Sequence, residues 1–196
     1  MKQPKKRAAN ERIVSAAVDL FSRMGFHGTS TRDIARLAAV NEVTVYRYYS
    51  GKRELFVAAV EEVLSEISLG ADAVARLEQA ADGPAALAGL FGVINDLISR
   101  RPELARLLQF ASLEMGQELE PVCRERLRTL LDASANYLKR WIDPGEPHAH
   151  DPELITLALV SSVVGMGSLF PDSCESPERI PRALRFFLAP SPAAQS

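Results

Sequence analysis

The chain has little of what metal centres, disulfide scaffolds and most catalytic sites are built from. Its 196 residues include two cysteines, Cys123 and Cys174, far apart and without C-x-x-C spacing. That excludes a disulfide framework and a cysteine-based zinc site, and it makes a reduced, cytoplasmic compartment the expectation. Histidines are three: His27, His148 and His150. His148-x-His150-Asp151 with Glu146 has ligand-type residues, but Pro144, Gly145, Pro147 and Pro152 around it mark a solvated loop, so no metal is expected. There is no glycine loop to cradle a phosphate and no dependable Ser/His/Asp spacing. No catalytic residue, no cofactor and no enzyme activity are therefore expected. No stretch alternates apolar and polar residues long enough to make a strand. The basic start is not followed by an apolar run, so it is not a secretory signal. The longest uncharged run, Leu154–Phe170, only reaches the lower limit for spanning a bilayer. It contains Thr156, Ser161, Ser162 and Ser168 and is flanked by Asp151, Glu153 and Asp172. A buried helix is expected there, not a membrane span.

What is present is an ordinary globular composition, 47% apolar and 24% charged, with an uneven distribution of charge. Residues 1–55 hold eleven of the 23 Lys/Arg but five of the 25 Asp/Glu. A basic N-terminal quarter on an acidic body points to a polyanionic partner at one end only. Lys2, Lys5, Lys6 and Arg7 could be a mere basic tail, but Arg32, Arg36, Arg47, Lys52 and Arg53 stand inside patterned helices.

Hydrophobic spacing predicts an all-α chain of about nine helices. After a polar arm at 1–8, expected to be disordered, the first helix falls near 9–24, with Ile13, Ala16, Ala17, Leu20, Phe21 and Met24 on one face. Helices follow near 31–38, 42–48 and 52–70. After Asp82-Gly83-Pro84 come helices near 85–100, 103–116, 119–142, 152–169 and 177–188. The expected division is an N-terminal domain over 1–55 and a second domain over 56–196.

Residues 29–56, TSTRDIARLAAVNEVTVYRYYSGKRELF, are the most informative segment. Ser30-Thr31-Arg32-Asp33 has the form of a capped helix start, and Ile34, Ala35 and Ala38 make one apolar face. Asn41 is a good N-cap for the next helix. Val45 and Tyr49, four apart, can turn inward, which leaves Val43, Thr44 and Arg47 on another face without a core to fill. A helix of that kind can enter a major groove and reach base edges. From about Glu11 to Val60 the chain resembles TetR-type transcriptional regulators. The resemblance is carried by Phe21 and Met24-Gly25-Phe26, Thr31-Arg32-Asp33-Ile34-Ala35, Thr44-Val45-Tyr46, and Lys52 with Leu55-Phe56. Two positions depart from the pattern. Ala39 stands in the turn, where the family usually has glycine, and Glu42 stands where a neutral or basic residue is common.

Individual roles can be assigned to this segment. Thr31 and Arg32 at one helix start, Lys52 at another, and the hydroxyls of Tyr46 and Tyr48 are candidate phosphate contacts, which position a protein on DNA. Glu42, Val43, Thr44 and Arg47 are candidate base readers: Val43 and Thr44 toward a thymine methyl, Arg47 toward guanine, Glu42 toward cytosine N4. Tyr46 could instead be a ring packed on the first helix, and Glu42 an acid that only favours the helix dipole. The resemblance implies a dimeric regulator, a repressor of a palindromic DNA operator, whose second region binds a small, largely apolar effector. Pocket candidates are Phe91, Ile94, Phe110, Met115, Tyr137 and Trp141, each of which could equally be core. For the dimer, residues 152–188 are the candidate, with Ser161, Gly165, Leu169, Leu184 and Phe187 at the contact; an intrachain core helix is the alternative. Other readings remain: a helix-turn-helix regulator controlled by a protein partner, or a helical enzyme or scaffold with a degenerate motif.

Overall fold

A computed structural model describes residues 3–67, 83–141 and 151–169, and among them there are seven helices and no strand. These are α1 (Gln3–Gly28), α2 (Thr31–Leu37), α3 (Glu42–Tyr46), α4 (Lys52–Ile67), α5 (Gly83–Arg100), α6 (Pro102–Trp141) and α7 (Pro152–Leu169). The count is lower than the predicted nine for two reasons. The helices predicted over 103–116 and 119–142 are one run, α6, and the helix predicted over 177–188 lies outside the described residues. Contacts divide the chain into two compact units. One is Met1–Glu66 with Glu103–Arg126, the other Ile67–Pro102 with Leu127–Ser196.

In the first unit, α1 extends further than its apolar stripe. The arm predicted to be disordered is helical from Gln3 onward. Proline is tolerated in a first turn, and Lys5 to Ala9 are strong helix formers. Arg7 adds an i,i+4 pair with Glu11 at 3.1 Å. Ile13, Ala17 and Phe21 are fully buried. They pack with Ile34 and Ala35 of α2, Val45 of α3, and Leu55, Phe56, Ala59 and Val60 of α4 to form the core. The Phe21 and Phe56 rings meet edge to face at 4.8 Å, a favoured arrangement of aromatic quadrupoles. Tyr49 closes the core from below α3, and its hydroxyl donates to Asn10 Oδ1 at 2.8 Å. Burial raises its phenol above the ordinary value.

Near its end α1 is interrupted at Gly25, with φ 68° and ψ −177°. Only glycine suits this position. Its φ is left-handed, and a Cβ there would lie 2.8 Å from Glu114 Oε1 and 3.1 Å from the Phe110 ring. Helix α2 starts at Ser30, whose hydroxyl oxygen accepts the Asp33 N–H at 3.1 Å. It ends in a Schellman-type turn. The Val40 N–H reaches Ala35 O at 3.0 Å, and the Ala39 N–H reaches Arg36 O at 3.2 Å. Asn41 then caps α3 through Oδ1, which accepts the Val43 N–H at 3.0 Å. Before α4, the Glu54 carboxylate accepts from both the backbone N–H and the hydroxyl of Ser50, at 2.6 and 2.7 Å. These two bonds hold the Glu54 carboxyl below its ordinary pKa. A depressed acid stabilises the fold above its unfolded pKa, and that contribution is lost as pH falls through the folded value.

The long α6 breaks its helical geometry at Met115 (φ −144°, ψ 23°), next to Gly116, a poor helix former. That break lies beside the boundary predicted between the two helices. In the second unit α5 packs against α7. Phe91, Ile94 and Ile98 of α5 are buried, as are Thr156, Leu159, Val160 and Val163 of α7. Helix α7 has the predicted bounds, opened by Asp151, whose Oδ1 accepts the Leu154 N–H at 3.0 Å. No helix among the described residues is long and apolar enough to cross a membrane.

The turn between α2 and α3 places Ala39 at φ 53°, the left-handed conformation the resemblance implies. An L-residue with a Cβ is strained there, and glycine is not. Ala39→Gly should therefore stabilise the first unit, by less than about 1 kcal/mol because glycine also enlarges the unfolded ensemble. Urea unfolding followed by circular dichroism measures this, and a lowered midpoint would contradict the strain argument.

Candidate nucleic-acid interface

Helix α3 is short and divided by face. Val45 is buried, while Val43 (63% exposed), Tyr46 (53% exposed) and Arg47 stand outward at i, i+3 and i+4 spacing. Tyr46 is thus not a ring packed on α1. Thr44 and Tyr48 are half-buried, and the Tyr48 ring lies tilted against Tyr49 at 6.5 Å. Between α2 and the start of α3 there is an open concavity lined by Arg32, Asp33, Arg36, Asn41 and Glu42, among others.

The cations of this region fall into two groups. Arg36 is paired with Asp33 at 2.9 Å, and Arg53 with Glu118. The Lys52 ammonium donates to Phe26 O at 2.8 Å and Thr29 O at 3.0 Å, and lies 4.3 Å from the centre of the Phe26 ring. Arg32 and Arg47 are exposed and have no partner among the described residues. Charge that is already engaged must give up a bond to meet a phosphate, and charge that is not engaged need not. By this criterion Arg32 and Arg47 are the cations most available to a polyanion. The Lys52 ammonium has spent two of its three protons on the backbone.

Thr31, Glu42 and Tyr46 form one hydrogen-bonded chain. The Thr31 hydroxyl donates to Glu42 Oε1 at 2.9 Å, and Thr31 Oγ1 lies 3.2 Å from the Tyr46 hydroxyl. Three candidate contacts from two helices, separate in the sequence, are thus brought together.

Glu114 had no signal in the sequence. Its Oε2 accepts the Phe26 N–H at 2.7 Å across 88 positions, satisfying the amide left over where α1 breaks. Arg53–Glu118 and Arg126–Glu61 add two partly exposed ion pairs between α4 and α6, and surface pairs of this kind contribute little. None of these long-range contacts leaves a local pattern that a sequence reading could find.

The pocket candidates are divided between the two units. Phe91, Ile94 and Tyr137 are buried in the second unit. Phe110 and Met115 belong to the first, where Phe110 lies beside Gly25. The side chain of Trp141 lies outside the described residues. Of the interface candidates, Ser161 is exposed and Gly165 half-buried. The Leu169 side chain, Leu184 and Phe187 lie outside the described residues. So does the loop of Glu146, His148 and His150; among the described residues no group of His, Cys, Asp and Glu could hold a metal. Cys123 is half-buried, and its thiol is pushed up by burial.

A helical corner, a second helix, a tight left-handed turn and a third helix with an exposed face define a helix-turn-helix unit. Residues 13–59 match the family model described as bacterial regulatory proteins, tetR family, and the chain belongs to that family. It is similar to the HTH-type transcriptional repressor NicS of Pseudomonas putida, 32% identical over 136 residues, which is 69% of this chain and 62% of NicS. It is also similar to the HTH-type transcriptional regulator RutR of Escherichia coli K12, 28% identical over 79% of this chain and 72% of RutR. The match thus spans less than two thirds of the length of NicS. Two solved structures share the fold. The regulator FadR of Bacillus subtilis, in complex with stearoyl-CoA, has a TM-score of 0.72 at 19% identity, covering 91% of this chain and 97% of that one. A TetR-family regulator from Mesorhizobium loti has a TM-score of 0.69 at 20% identity, covering 95% and 96%.

Because Lys52 bridges two backbone carbonyls, its loss should be felt in the free protein. Lys52→Met, which keeps the aliphatic stem, is expected to lower unfolding free energy by about 1–3 kcal/mol. A urea midpoint equal to wild type would show that the bridge contributes nothing to the fold.

Proposed function

We propose that this protein is a DNA-binding transcriptional regulator, a repressor that grips a palindromic operator as a homodimer and is released by a small, largely apolar effector. The observation that carries the reading is the outward face of α3, where Val43, Tyr46 and Arg47 stand exposed with Arg47 unengaged. In this reading residues 1–55 bind DNA and residues 56–196 bind the effector and the second copy. Arg47, Val43 and Thr44 read base edges. Thr31, Arg32, Tyr46, Tyr48 and the remaining proton of Lys52 hold phosphates, which fixes register without reading sequence. The names of the relatives NicS and RutR support regulation, and that of NicS supports repression.

Support for the dimer comes from α7. Its buried face is satisfied by residues 156, 159, 160 and 163, yet Leu154 (62% exposed), Ala158, Ser161 and Ser162 stand on the opposite side, with half-buried Gly165 continuing the line. This second stripe is apolar or small at helical spacing, as a helix–helix contact between copies requires. Two recognition helices held about 34–36 Å apart would then meet successive major grooves. An effector that binds better to another spacing would draw the population off DNA. Phe91, Ile94 and Tyr137, buried within the second unit, supply the apolar surroundings for it.

Arg47→Ala should weaken specific binding by about 1–3 kcal/mol and blur the preference at one base position per half-site. Selection from a randomised duplex pool checks this, and an unchanged base preference would remove Arg47 from the reading set.

At Gly165 a Cβ would meet nothing within 4 Å among the described residues. Gly165→Glu would place an unpaired charge in the proposed interface. Light scattering should find monomers that no longer hold the operator, whereas a monomeric wild type at micromolar concentration would end the dimer reading.

A further inference from the structure

We propose that Glu42 does not read a base but acts as a built-in brake on DNA affinity, a role that rests on the DNA-binding reading above. The geometry of the Thr31–Glu42–Tyr46 chain determines which way its protons point. Threonine has one hydroxyl proton. That proton goes to Glu42 Oε1 at 2.9 Å, so in the 3.2 Å contact it is Tyr46 that donates to Thr31 Oγ1. Both hydroxyl protons are therefore committed within the protein. A phosphate oxygen is an acceptor and needs those same protons. Engaging it means opening the chain and leaving the Glu42 carboxylate without the Thr31 hydroxyl.

The carboxylate also carries a charge of the wrong sign. Among the described residues no cation pairs with it: Arg36 is held by Asp33 at 2.9 Å, and Arg32 is paired with none of them. A phosphate taken by Thr31 or Tyr46 would approach an uncompensated negative group at close range, where like charges repel most. The side chain is also placed unlike a base reader. Glu42 is half-buried and bonded back toward α2, while Val43 and Arg47 project from the exposed face of α3. Glu42 thus lowers the affinity for every sequence alike. That keeps the protein off random DNA and leaves discrimination to Arg47 and its neighbours.

The test compares wild type, Glu42→Ala, Glu42→Gln, and both changes in a Thr31→Val background. Binding to a mixed-sequence duplex, and to a duplex selected by the wild type from a randomised pool, is measured by fluorescence anisotropy across a salt series. Melting curves confirm that each variant is folded. Glu42→Ala should tighten both duplexes by about five- to tenfold, with their ratio unchanged. Glu42→Gln keeps an acceptor for Thr31 but removes the charge, so it should recover only part of the gain. In the Thr31→Val background, Glu42→Ala should do no more than Glu42→Gln, because no hydroxyl remains to be released. Weaker binding to the selected duplex, with tolerance at one base position, would make Glu42 a base reader and overturn the brake. Unchanged affinities in folded variants would overturn it as well, leaving Glu42 a helix-start acid. If the wild type binds neither duplex at low salt, the DNA-binding reading itself fails, an outcome distinct from both.

Discussion

The peptide groups between Gly25 and Thr29 decide the geometry of the N-terminal unit. Where α1 breaks, its amides and carbonyls lose their helical partners and must find others. The Phe26 N–H goes to Glu114, the Phe26 and Thr29 carbonyls go to Lys52, and the Gly25 carbonyl accepts from the Thr29 hydroxyl at 2.9 Å. The Phe26 ring, between Phe21, Phe56 and the Lys52 ammonium, anchors the same turn by packing. Helix α2 starts directly after this corner, so the direction of α2, and of α3 beyond it, is inherited from how the corner is satisfied.

The distribution of charge at the proposed interface follows from that arrangement. A lysine that closes the corner is only partly available to a ligand, and arginines that hold α2 to itself or α4 to α6 are likewise occupied. What remains for an outside polyanion is a small set of groups, Arg32 and Arg47 foremost. An interface built this way gains specificity from few contacts and little from indiscriminate attraction, consistent with a carboxylate positioned among the hydroxyls.

Much of this was legible in the sequence because it is local. Ser30 and Asn41 cap the adjacent helix starts with their own side chains, so both caps could be placed from residue types, while the left-handed turn at Ala39 followed only from the resemblance. The start of α7 is marked by Asp151-Pro152. The inward pair Val45 and Tyr49 followed from spacing. What could not be read was long-range. Nothing near Glu114 announces an amide 88 positions earlier, and Lys52 looks the same in sequence whether it faces a phosphate or two carbonyls. The polarity of the basic arm carries no sign of the extension of α1, because Lys, Arg and Ala are strong helix formers whether or not they are buried. The apolar character that Phe110 and Met115 share with Phe91 carries no information about which unit a side chain joins.

The two left-handed residues of the first unit place opposite demands on descent with modification. At Gly25 the backbone conformation and the surrounding space both refuse a side chain, because the Glu114 carboxylate and the Phe110 ring already occupy it. Ala39 is exposed, and only its backbone objects. Position 25 should therefore stay glycine among descendants of this chain, because its backbone is strained for any side chain whatever Glu114 and Phe110 become. Position 39 is free to drift through glycine, asparagine or alanine at small cost. The corner should thus leave an invariant position and the turn a variable one.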